Sequence, residues 1–521
     1  MARTDTLPHF LTDVADAIRT KKGTQSTLQA SSFDTEILSI PSGAEPTDVI
    51  EKDVNFYDYD GTRVYSYTKT EFLALEEMPA NPTHTGLTAQ GWNWTYQNAI
   101  TYVTNNGILD VGQMYITSDG KTRIYLSLTS DTLDLYLTLG RISDNGVVTV
   151  NWGDNSSTEE MTHSLETLNH TYSAVGDYVI TLSHTEGTTF RLVDEIINNG
   201  VTNSYYNPET QYVNMKYKQC ITKVEIGAAV DRFTSAALRY SQIKSINLPT
   251  NITSCENDCF AYCYNLKGIV IPTSITSINP GTDGWFRADT NLKYCILPDT
   301  LTSISGSSYT LSMWNGCSQL KSMIIPISMT TLPNGFFYNL GIKKAIIPTN
   351  ITQMSDSYYA GTFQQCSQLE EVSIAPTMTK IGWRTFQGCY SLKQYTIPST
   401  VTEIQESAFQ QCSSLTEINL PEGLTTIGQN AFMACQKILQ FTFPSTITSI
   451  GQYAFSNANN RTLYDFSLAA SIPTLANSNA FSGASDYKIV VPDSLYTDWI
   501  ATNNWSGLAS HIISKTDYDN L

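Results

Sequence analysis

The C-terminal half of the chain repeats one pattern, and this repetition constrains the fold more than any other feature. The pattern reads I-x-I-P-x-x-[ILVM]-T-x-I and continues as F-x-x-C-x-x-L-x-x-I. Its threonine recurs every 22 to 28 residues, at Thr253, Thr276, Thr302, Thr330, Thr352, Thr379, Thr402, Thr425 and Thr448. Units of this length stack into solenoids, and about three of them are enough to bury a continuous core. The pattern therefore predicts a repeat solenoid.

Each position in the repeat has a physical role. Apolar residues at alternate positions before the proline predict a strand with one buried face, which the proline ends because it cannot donate to a β-ladder. The aromatic residue fills the interior, and three residues later a cysteine occupies the same column in six repeats, at Cys263, Cys317, Cys366, Cys389, Cys412 and Cys435. We expect this column to be a buried ladder of free thiols.

Three cysteines also have a spacing that could suggest a metal site. Cys255, Cys259 and Cys263 follow one another as C-x3-C-x3-C. However, Cys255 replaces an apolar residue of the repeat and Cys263 belongs to the ladder, so two of the three have a repeat-based explanation. The sequence therefore predicts neither a metal ion nor another cofactor.

From about residue 221 to residue 521 the pattern resembles the bacterial BspA-type leucine-rich repeat. The resemblance implies a leucine-rich-repeat solenoid over residues 206–488. The segment KIVVPDSLYTDWIATNNWSGLASHI is similar to the closing strand and amphipathic helix of that family. It implies a C-terminal cap over residues 489–521, in which apolar side chains cover the last coil, namely Leu495, Trp499, Trp505 and Leu508.

Upstream of the repeats, the chain divides into shorter segments. Residues 1–43 contain two short helical patterns and predict a helical docking module, the alternative being a helical hairpin packed on the next domain. Residues 44–130 alternate as strands around two Asp-Gly turns and include two helical stretches, which predicts a small α+β domain. In that domain, Asp58 and Asp60 favour a hairpin turn over a calcium loop. Trp92 and Trp94 favour core packing over stacking on a sugar.

Residues 131–205 contain VVTVNWGDNSS and, further on, NHTYSAVGDYVITL. These stretches resemble the PKD-type immunoglobulin-like domain on seven residues, Trp152, Gly153, Asp154, His170, Tyr172, Gly176 and Tyr178. The resemblance implies an Ig-like (PKD-type) β-sandwich that acts as a spacer or binding module. The whole chain is therefore expected to be multi-domain and mainly β, with helix confined to the N-terminal segments and the C-terminal cap.

Insertions in the repeats mark one face as a candidate binding site. The threonine and the aromatic residue are 7 positions apart in most repeats, but 10, 12 and 11 apart in those that start at Thr276, Thr302 and Thr352. Insertions at the same position of different repeats emerge on one face of the solenoid. Loops on a rigid scaffold often recognise ligands. We expect four aromatic residues there to contact a ligand, the alternative being tolerated decoration: Trp285, Tyr309, Tyr358 and Tyr359.

A column of lysines is the second candidate. Lysine recurs one residue after the conserved leucine, at Lys244, Lys267, Lys293, Lys321, Lys343 and Lys393. The column predicts either an electrostatic strip for an acidic glycopolymer or a charged strand edge that deters aggregation. We expect Lys267, Lys293 and Lys321 to contact the ligand if the first interpretation is right.

Composition and motifs exclude several classes of function. The formal net charge of −18 argues against binding to nucleic acid or insertion into a membrane surface, since anionic groups would be repelled. No run approaches the roughly 18 apolar residues of a membrane span, and the first residues lack the apolar core of a secretory signal. The six histidines belong to no known catalytic motif, so we expect no enzyme activity.

The N-terminal stretch LTDVADAIRTKKG…SFDTEILSIPSG and the order of the segments resemble tail and baseplate proteins of bacteriophages. This resemblance implies a virion tail or tail-tip protein, made in the host cytoplasm. It would dock on other tail or baseplate proteins through residues 1–43 and bind a host cell-surface glycan or protein through its repeats. The alternatives are a BspA-type adhesin on a bacterial cell surface and a virion decoration protein without a receptor. A homo-oligomer is compatible with each of them.

Overall fold

The repeated segment folds into coils that stack through parallel strands. The structure, a computed structural model, describes residues 53–130, 132–141, 146–161, 163–193, 197–198, 201–202, 218–279, 284–305, 313–320, 322–354, 359–374, 377–459 and 461–521. The predicted docking module, residues 1–43, lies outside the described residues. Residues 53–521 belong to one unit, which contains an N-terminal module (53–117), a β-sandwich (122–193) and the repeat array (218–521).

The N-terminal module is a four-stranded sheet with two helices. Its elements are β1 (Val54–Tyr57), β2 (Arg63–Tyr67), α1 (Lys69–Leu73), β3 (Leu87–Trp92), α2 (Tyr96–Asn106) and β4 (Leu109–Thr117). The strand order is β2-β1-β4-β3. Thr68 and Glu71 form a capping box at the start of α1, and Thr95 caps the start of α2. These side chains bond to backbone N–H groups that have no partner within the helix.

The β-sandwich has two sheets, and the first repeat coils complete both. Its own strands are β5 (Thr122–Leu128), β6 (Asp134–Arg141), β7 (Val148–Asn151), β8 (Glu159–Met161), β9 (Leu165–Thr171), β10 (Gly176–His184) and β11 (Phe190–Val193), followed by the short pair β12 (Ile197–Asn198) and β13 (Val201–Thr202). The repeat array adds β14 (Ile221–Glu225), β15 (Val230–Phe233) and β16 (Ser254–Cys255). The sheet orders are β14-β5-β10-β7-β8 and β16-β15-β11-β6-β9. The sandwich therefore covers the N-terminal end of the array.

One predicted domain boundary moves as a result. The sequence interpretation ended the α+β domain at residue 130, but β5 pairs with β10 and β14 of the sandwich. The structure places the boundary at the Asp119–Gly120 turn, before β5. Alternation of apolar and polar residues indicates that a segment is a strand, but it does not indicate which sheet the strand joins.

Most repeat coils contribute a longer strand on one side and a shorter strand on another. The longer strands are β17 (Gly268–Val270), β19 (Tyr294–Ile296), β22 (Lys344–Ile346), β24 (Glu371–Ser373), β26 (Gln394–Thr396), β28 (Glu417–Asn419), β30 (Gln440–Thr442) and β32 (Leu463–Asp465). The shorter strands are β18 (Ser277–Ile278), β20 (Ser303–Ile304), β21 (Thr331–Leu332), β23 (Gln353–Met354), β25 (Lys380–Ile381), β27 (Glu403–Ile404), β29 (Thr426–Ile427), β31 (Ser449–Ile450) and β33 (Thr474–Leu475). Neighbouring coils pair in parallel, as Gln394 does with Glu417 and Ile404 with Ile427.

Buried ladders of side chains join the coils. Five phenylalanine rings stack with centroids 5.2 to 5.6 Å apart, those of Phe363, Phe386, Phe409, Phe432 and Phe455. In the cysteine column, five of the six thiols donate to the carbonyl of the phenylalanine in the preceding coil, as Cys412 Sγ does to Phe386 O at 3.2 Å, and Cys263 Sγ donates to Leu238 O. All ten cysteines are buried free thiols. The constant spacing from phenylalanine to cysteine keeps the thiol in reach of the phenylalanine carbonyl in the preceding coil.

The repeated threonine that defines the pattern bonds one coil to the next. Both the backbone N–H of Thr425 and its hydroxyl donate to the carbonyl oxygen of Thr402, at 2.9 and 3.0 Å. Thr448 repeats the same pair of contacts on Thr425. A side chain with a donor close to the backbone is therefore required at this corner, which explains why threonine recurs there.

The C-terminal end continues the longer-strand side and closes the last coil. It contains β34 (Lys488–Val491), α3 (Tyr496–Ala501), β35 (Ile512–Ser514) and α4 (Lys515–Asp519), with 3₁₀ turns at Ser478–Phe481, Asp493–Leu495 and Ser506–His511. Trp499 and Trp505 are buried against Phe466, with ring centroids 5.5 and 5.6 Å from it. Among the described residues, no helix has the length and apolar character needed to cross a membrane.

Candidate binding surface

The longer strands together form a broad surface, which we call the strand face. The middle residue of each strand points into the core, and the two flanking residues point outward. The first outward column contains Gly268, Tyr294, Ser322, Lys344, Glu371, Gln394, Glu417, Gln440 and Leu463. The second outward column contains Val270, Ile296, Ile324, Ile346, Ser373, Thr396, Asn419, Thr442 and Asp465.

The N-terminal module covers the first part of the strand face. Strand β4 crosses the coils one after another, since Asn247 Nδ2 donates to Tyr115 O at 3.1 Å and, further along, Ser322 Oγ donates to Asp110 Oδ2 at 2.9 Å. The loop after β3 adds buried contacts. Asn93 Nδ2 donates to the carbonyl oxygens of two adjacent coils. The module is therefore docked along several coils by specific hydrogen bonds.

Trp94 and Asp299 strengthen this docking. Trp94 is buried and its Nε1 donates to Leu297 O at 2.9 Å, so it packs at an internal interface and is not free to stack on a sugar. Asp299 Oδ2 accepts from the backbone N–H of Thr95, the hydroxyl of Thr95 and the amide of Asn98, at 2.8, 3.0 and 2.8 Å. A carboxylate is favoured there because these donors lie at the N-terminus of α2.

The second column changes character where the module ends. Under the module it is aliphatic, and Val270, Ile296 and Ile324 pack into the apolar clusters of the module. Beyond the module comes the half-buried Ile346, and after it the column carries exposed hydroxyl and amide groups, those of Ser373, Thr396, Asn419 and Thr442. The sequence contains this signal, because GIVI, YCIL and SMII give way to EVSI, QYTI and EINL. The sequence-based prediction missed the uncovered strand face because it relied on the lengths of the insertions, which carry no information about the strands.

An open groove of about 630 Å³ lies on the uncovered part of the strand face. Its lining includes outward residues of β28 and β30, Asn419, Gln440 and Thr442 among them. Leu439 and Leu468 also line the groove, although their side chains are 59% and 58% exposed. Such exposure of two large aliphatic side chains at one groove indicates a surface suited to a partner molecule.

The repeat array can be assigned to a family. The family model described as BspA type leucine rich repeat region matches six copies, over residues 211–312, 283–413 and 359–488. These overlapping segments cover more than half of the chain. The chain belongs to the BspA-type leucine-rich-repeat family. No curated protein matches the chain.

Solved structures of other bacterial repeat proteins are similar to the BspA-type chain. A leucine-rich repeat protein from Bacteroides ovatus is 20% identical with a TM-score of 0.40, and the match covers 62% of this chain and 91% of that chain. One from Eubacterium ventriosum is 21% identical with a TM-score of 0.33, covering 47% and 78%. A leucine rich cell surface protein from Faecalibacterium prausnitzii is 20% identical with a TM-score of 0.26, covering 43% and 73%. Similarity at this level says nothing about function.

Of the four aromatic residues predicted to bind a ligand, the described part of the BspA-type array contains Trp285 and Tyr359, and one of these two is buried. Trp285 is only 1% exposed and packs beside Phe286 in the core, so its assignment as a contact residue is wrong. The assignment fails because Trp285 directly precedes Phe286, a member of the stacked aromatic column, and its indole packs in the interior with that ring. Tyr359 is 48% exposed. Tyr309 and Tyr358 lie outside the described residues, so their predicted role stays a prediction.

The lysine column of the BspA-type repeats is partly neutralised. Lys393 Nζ lies 2.8 Å from the carboxylate of Glu370, which occupies the same column one coil earlier. Lys267 and Lys293 are exposed beside the covered part of the strand face, and Lys321 lies outside the described residues. A continuous positive strip is therefore limited to the early coils, and binding of an acidic glycopolymer there stays a prediction.

Two histidine–aspartate pairs lie outside the repeats, and both have structural contacts. Asp58 accepts from Tyr59 N in a turn and lies 2.6 Å from His84 Nε2, which agrees with a hairpin turn. In the sandwich, His170 Nε2 lies 2.7 Å from Asp154 Oδ2 and its ring stacks on Trp152 at 4.7 Å. Partial burial raises the pKa of Asp154, but hydrogen bonds from Ser156 and His170 outweigh it and bring the pKa to about 2.

One position of the cysteine ladder holds a carboxylic acid. Asp289 replaces the cysteine between Cys263 and Cys317, and its Oδ1 accepts from the backbone N–H of Cys263 at 2.6 Å. Burial raises the pKa of Asp289 well above its ordinary value of 3.8, and the negative charge of Asp258 adds to the shift. Asp289 is therefore neutral in the folded chain over a range of pH in which it ionises in the unfolded chain.

The Asp289→Asn variant is expected to be more stable than the parent at pH 7. Below pH 3.8 the carboxyl group of Asp289 is protonated in both the folded and the unfolded chain. Above pH 3.8 it ionises only in the unfolded chain, so the free energy of unfolding of the parent falls with rising pH until the pKa of the folded chain is reached. Asparagine keeps the Oδ1 acceptor and does not titrate. We expect the gap in free energy of unfolding to widen from pH 4 to pH 7, at about 1.4 kcal/mol for each unit by which folding raises the pKa. Denaturant titration at both pH values measures it, and an equal gap at both would contradict the buried neutral acid.

Proposed function

We propose that this chain is a non-enzymatic binding protein of the bacterial surface-adhesin type. Its partner is a cell-surface glycan or protein, held on the part of the strand face that the N-terminal module leaves uncovered. One observation carries the proposal: the second outward column turns from buried aliphatic residues to exposed hydroxyl and amide groups where the module ends. Exposed polar residues beside an apolar region that is already covered are expected of a binding surface, where a ligand replaces bound water.

The chemistry of the described residues supports a role without catalysis. Every cysteine is buried, and burial raises the pKa values of most of these thiols, Cys366 and Cys435 to about 12, which keeps them from acting as nucleophiles. His170 is held between Trp152 and Tyr172 as part of the sandwich core. The contacts of His170, Trp152 and Tyr172 also support a PKD-like sandwich that serves as cap and spacer.

Membership of the BspA-type family agrees with a location at a bacterial cell surface, which forms part of the proposal. The interpretation as a phage tail protein depended on the order of the segments and on residues 1–43, which lie outside the described residues. The family match favours the adhesin interpretation over it. Docking of residues 1–43 on tail or baseplate proteins stays a prediction.

The proposal is tested by cell binding of the full chain. The Thr396→Arg variant places a long charged side chain on the uncovered strand face, and we expect it to weaken binding to bacterial or epithelial cells at least about tenfold, or 1.4 kcal/mol. Gln429→Arg is the matched control, because Gln429 is exposed and follows the shorter strand β29, away from the strand face. Flow cytometry of labelled protein over a panel of cells measures both. Equal binding by Thr396→Arg and Gln429→Arg would contradict a site on the strand face.

A further inference from the structure

We infer that the groove between β28 and β30 holds an extended segment of a partner polypeptide that carries apolar side chains and a basic residue. This inference rests on the proposed function and names the kind of partner. It is drawn from the lining of the groove, its charge and its position on the strand face that the N-terminal module occupies in earlier coils.

The apolar part of the groove lies beside its hydrogen-bonding part. Leu439 precedes β30 and Leu468 follows β32, and both line the same groove with more than half of their side chains exposed. Single exposed leucines are common on protein surfaces, but two that line one groove form a patch that a partner can cover. Asn419 and Gln440 offer both amide donors and carbonyl acceptors beside them. An extended backbone needs this combination, with acceptors for its N–H groups and apolar contacts for alternate side chains.

The charge of the groove favours a basic partner over an acidic one. Its lining includes Glu417 and Glu422 but one lysine, Lys437. The backbone N–H and hydroxyl of Ser445 donate to the carboxylate of Glu422, at 3.3 and 3.0 Å, so this acid is held in place. The net charge of the whole chain is also negative. A lysine or arginine of a partner is attracted here, whereas an anionic polymer is repelled.

The groove lacks the feature that sugars use most. Carbohydrate rings bind by stacking on exposed aromatic faces, and the aromatic residue among the lining residues, Phe443, is fully buried in the core. A polypeptide has no such requirement. The same strand face already accepts polypeptide in the early coils, where Asn93 bonds to backbone carbonyls and Met114 packs against Val270. The groove lies on the same face, beyond the covered coils, and has polar residues in the second column.

The test uses the full chain and a displayed library of random peptides. We expect wild-type protein to enrich peptides that combine alternating apolar residues with lysine or arginine. The Asn419→Arg variant, which fills the groove and adds a positive charge, should bind the enriched peptides at least about tenfold more weakly. Glu417→Gln should reduce the preference for basic residues without removing binding. Gln429→Arg is the control and should bind like wild type. Melting curves check folding, and Leu439→Ser provides a second groove variant if Asn419→Arg does not fold.

Three results would overturn the inference. The first is no enrichment by wild type over Asn419→Arg. The second is equal binding of enriched peptides to all variants. The third is binding of wild type, but not of Asn419→Arg, to an array of neutral glycans without any selected peptide. The inference would fail alone if Thr396→Arg lost cell binding while no peptide was selected. Absence of cell binding by the wild-type chain would instead count against the proposed function.

Discussion

The Gly268→Val variant is expected to detach the N-terminal module from the strand face. A Cβ atom at residue 268 would lie 2.6 Å from the Cα of Gly61, at the Asp60–Gly61 turn of the module. Carbon atoms do not approach so closely, and backbone cannot move aside as the end of a flexible side chain can. Overpacking of a core costs about 1–3 kcal/mol when side chains can shift. A clash with backbone should cost more, while valine itself suits an outward strand position.

Detachment is measured by hydrogen–deuterium exchange in β4 and by limited proteolysis of residues 53–117. We expect faster exchange in β4 and new cleavage in the module, whereas the coils from β24 onward keep their protection. Gln394→Val is the matched control, since Gln394 holds the equivalent position in an uncovered coil and is exposed. If Gly268→Val exchanged like wild type in β4, the close approach of the two glycines would not be needed for docking.

The repeat array could be predicted in detail because its causes are local and recur. The spacing from Phe409 to Cys412 reappears in coil after coil, and the structure explains it by a thiol that reaches the carbonyl of the preceding phenylalanine. The threonine at each corner has a similarly local reason, a bond to the threonine before it. A pattern that is repeated many times reveals which side chains must stack, even without knowledge of the rest of the chain.

The docking of the module could not be predicted, because it depends on contacts between distant parts of the chain. Asn93 bonds to Ile271 across 178 residues, and no motif around GWNW indicates this partner. A signal existed on the other side of the interface, where Val270 and Ile296 are apolar at outward positions that are polar in later coils. Apolar residues on both faces of a strand indicate burial on both sides. They do not identify the segment that covers them.

The error at Trp285 shows what insertion length can and cannot reveal. The extra residues before Trp285 mark a repeat that is longer in sequence than most of the others. They do not determine where each side chain points, and the residue next to the ladder phenylalanine is drawn into the core. Large aromatic side chains gain most from burial. An insertion that ends on tryptophan therefore favours burial of that side chain over its exposure at the surface.

A chain that contains the repeats alone, residues 218–521, is expected to aggregate or to unfold well below the temperature of the chain 53–521. Removal of the sandwich breaks the pairing of β14 with β5 and of β15 with β11. It also exposes apolar residues of the first coil that are now buried, including Val224, Ile226, Val230 and Phe233. At about 1.5–3 kcal/mol for each side chain, the loss is on the order of 10 kcal/mol. That equals the stability of a typical domain.

Size-exclusion chromatography and thermal melting of the two chains check this expectation. Solenoids require caps at both ends, and here the β-sandwich supplies the N-terminal cap through both of its sheets. The 53–521 chain is the matched control, since it keeps the sandwich and removes only the segment before the module. A monomeric 218–521 chain that melted cooperatively at the same temperature would show that the repeats cap themselves. Binding experiments should otherwise use chains that retain the sandwich, because an uncapped array would bind through its exposed apolar end.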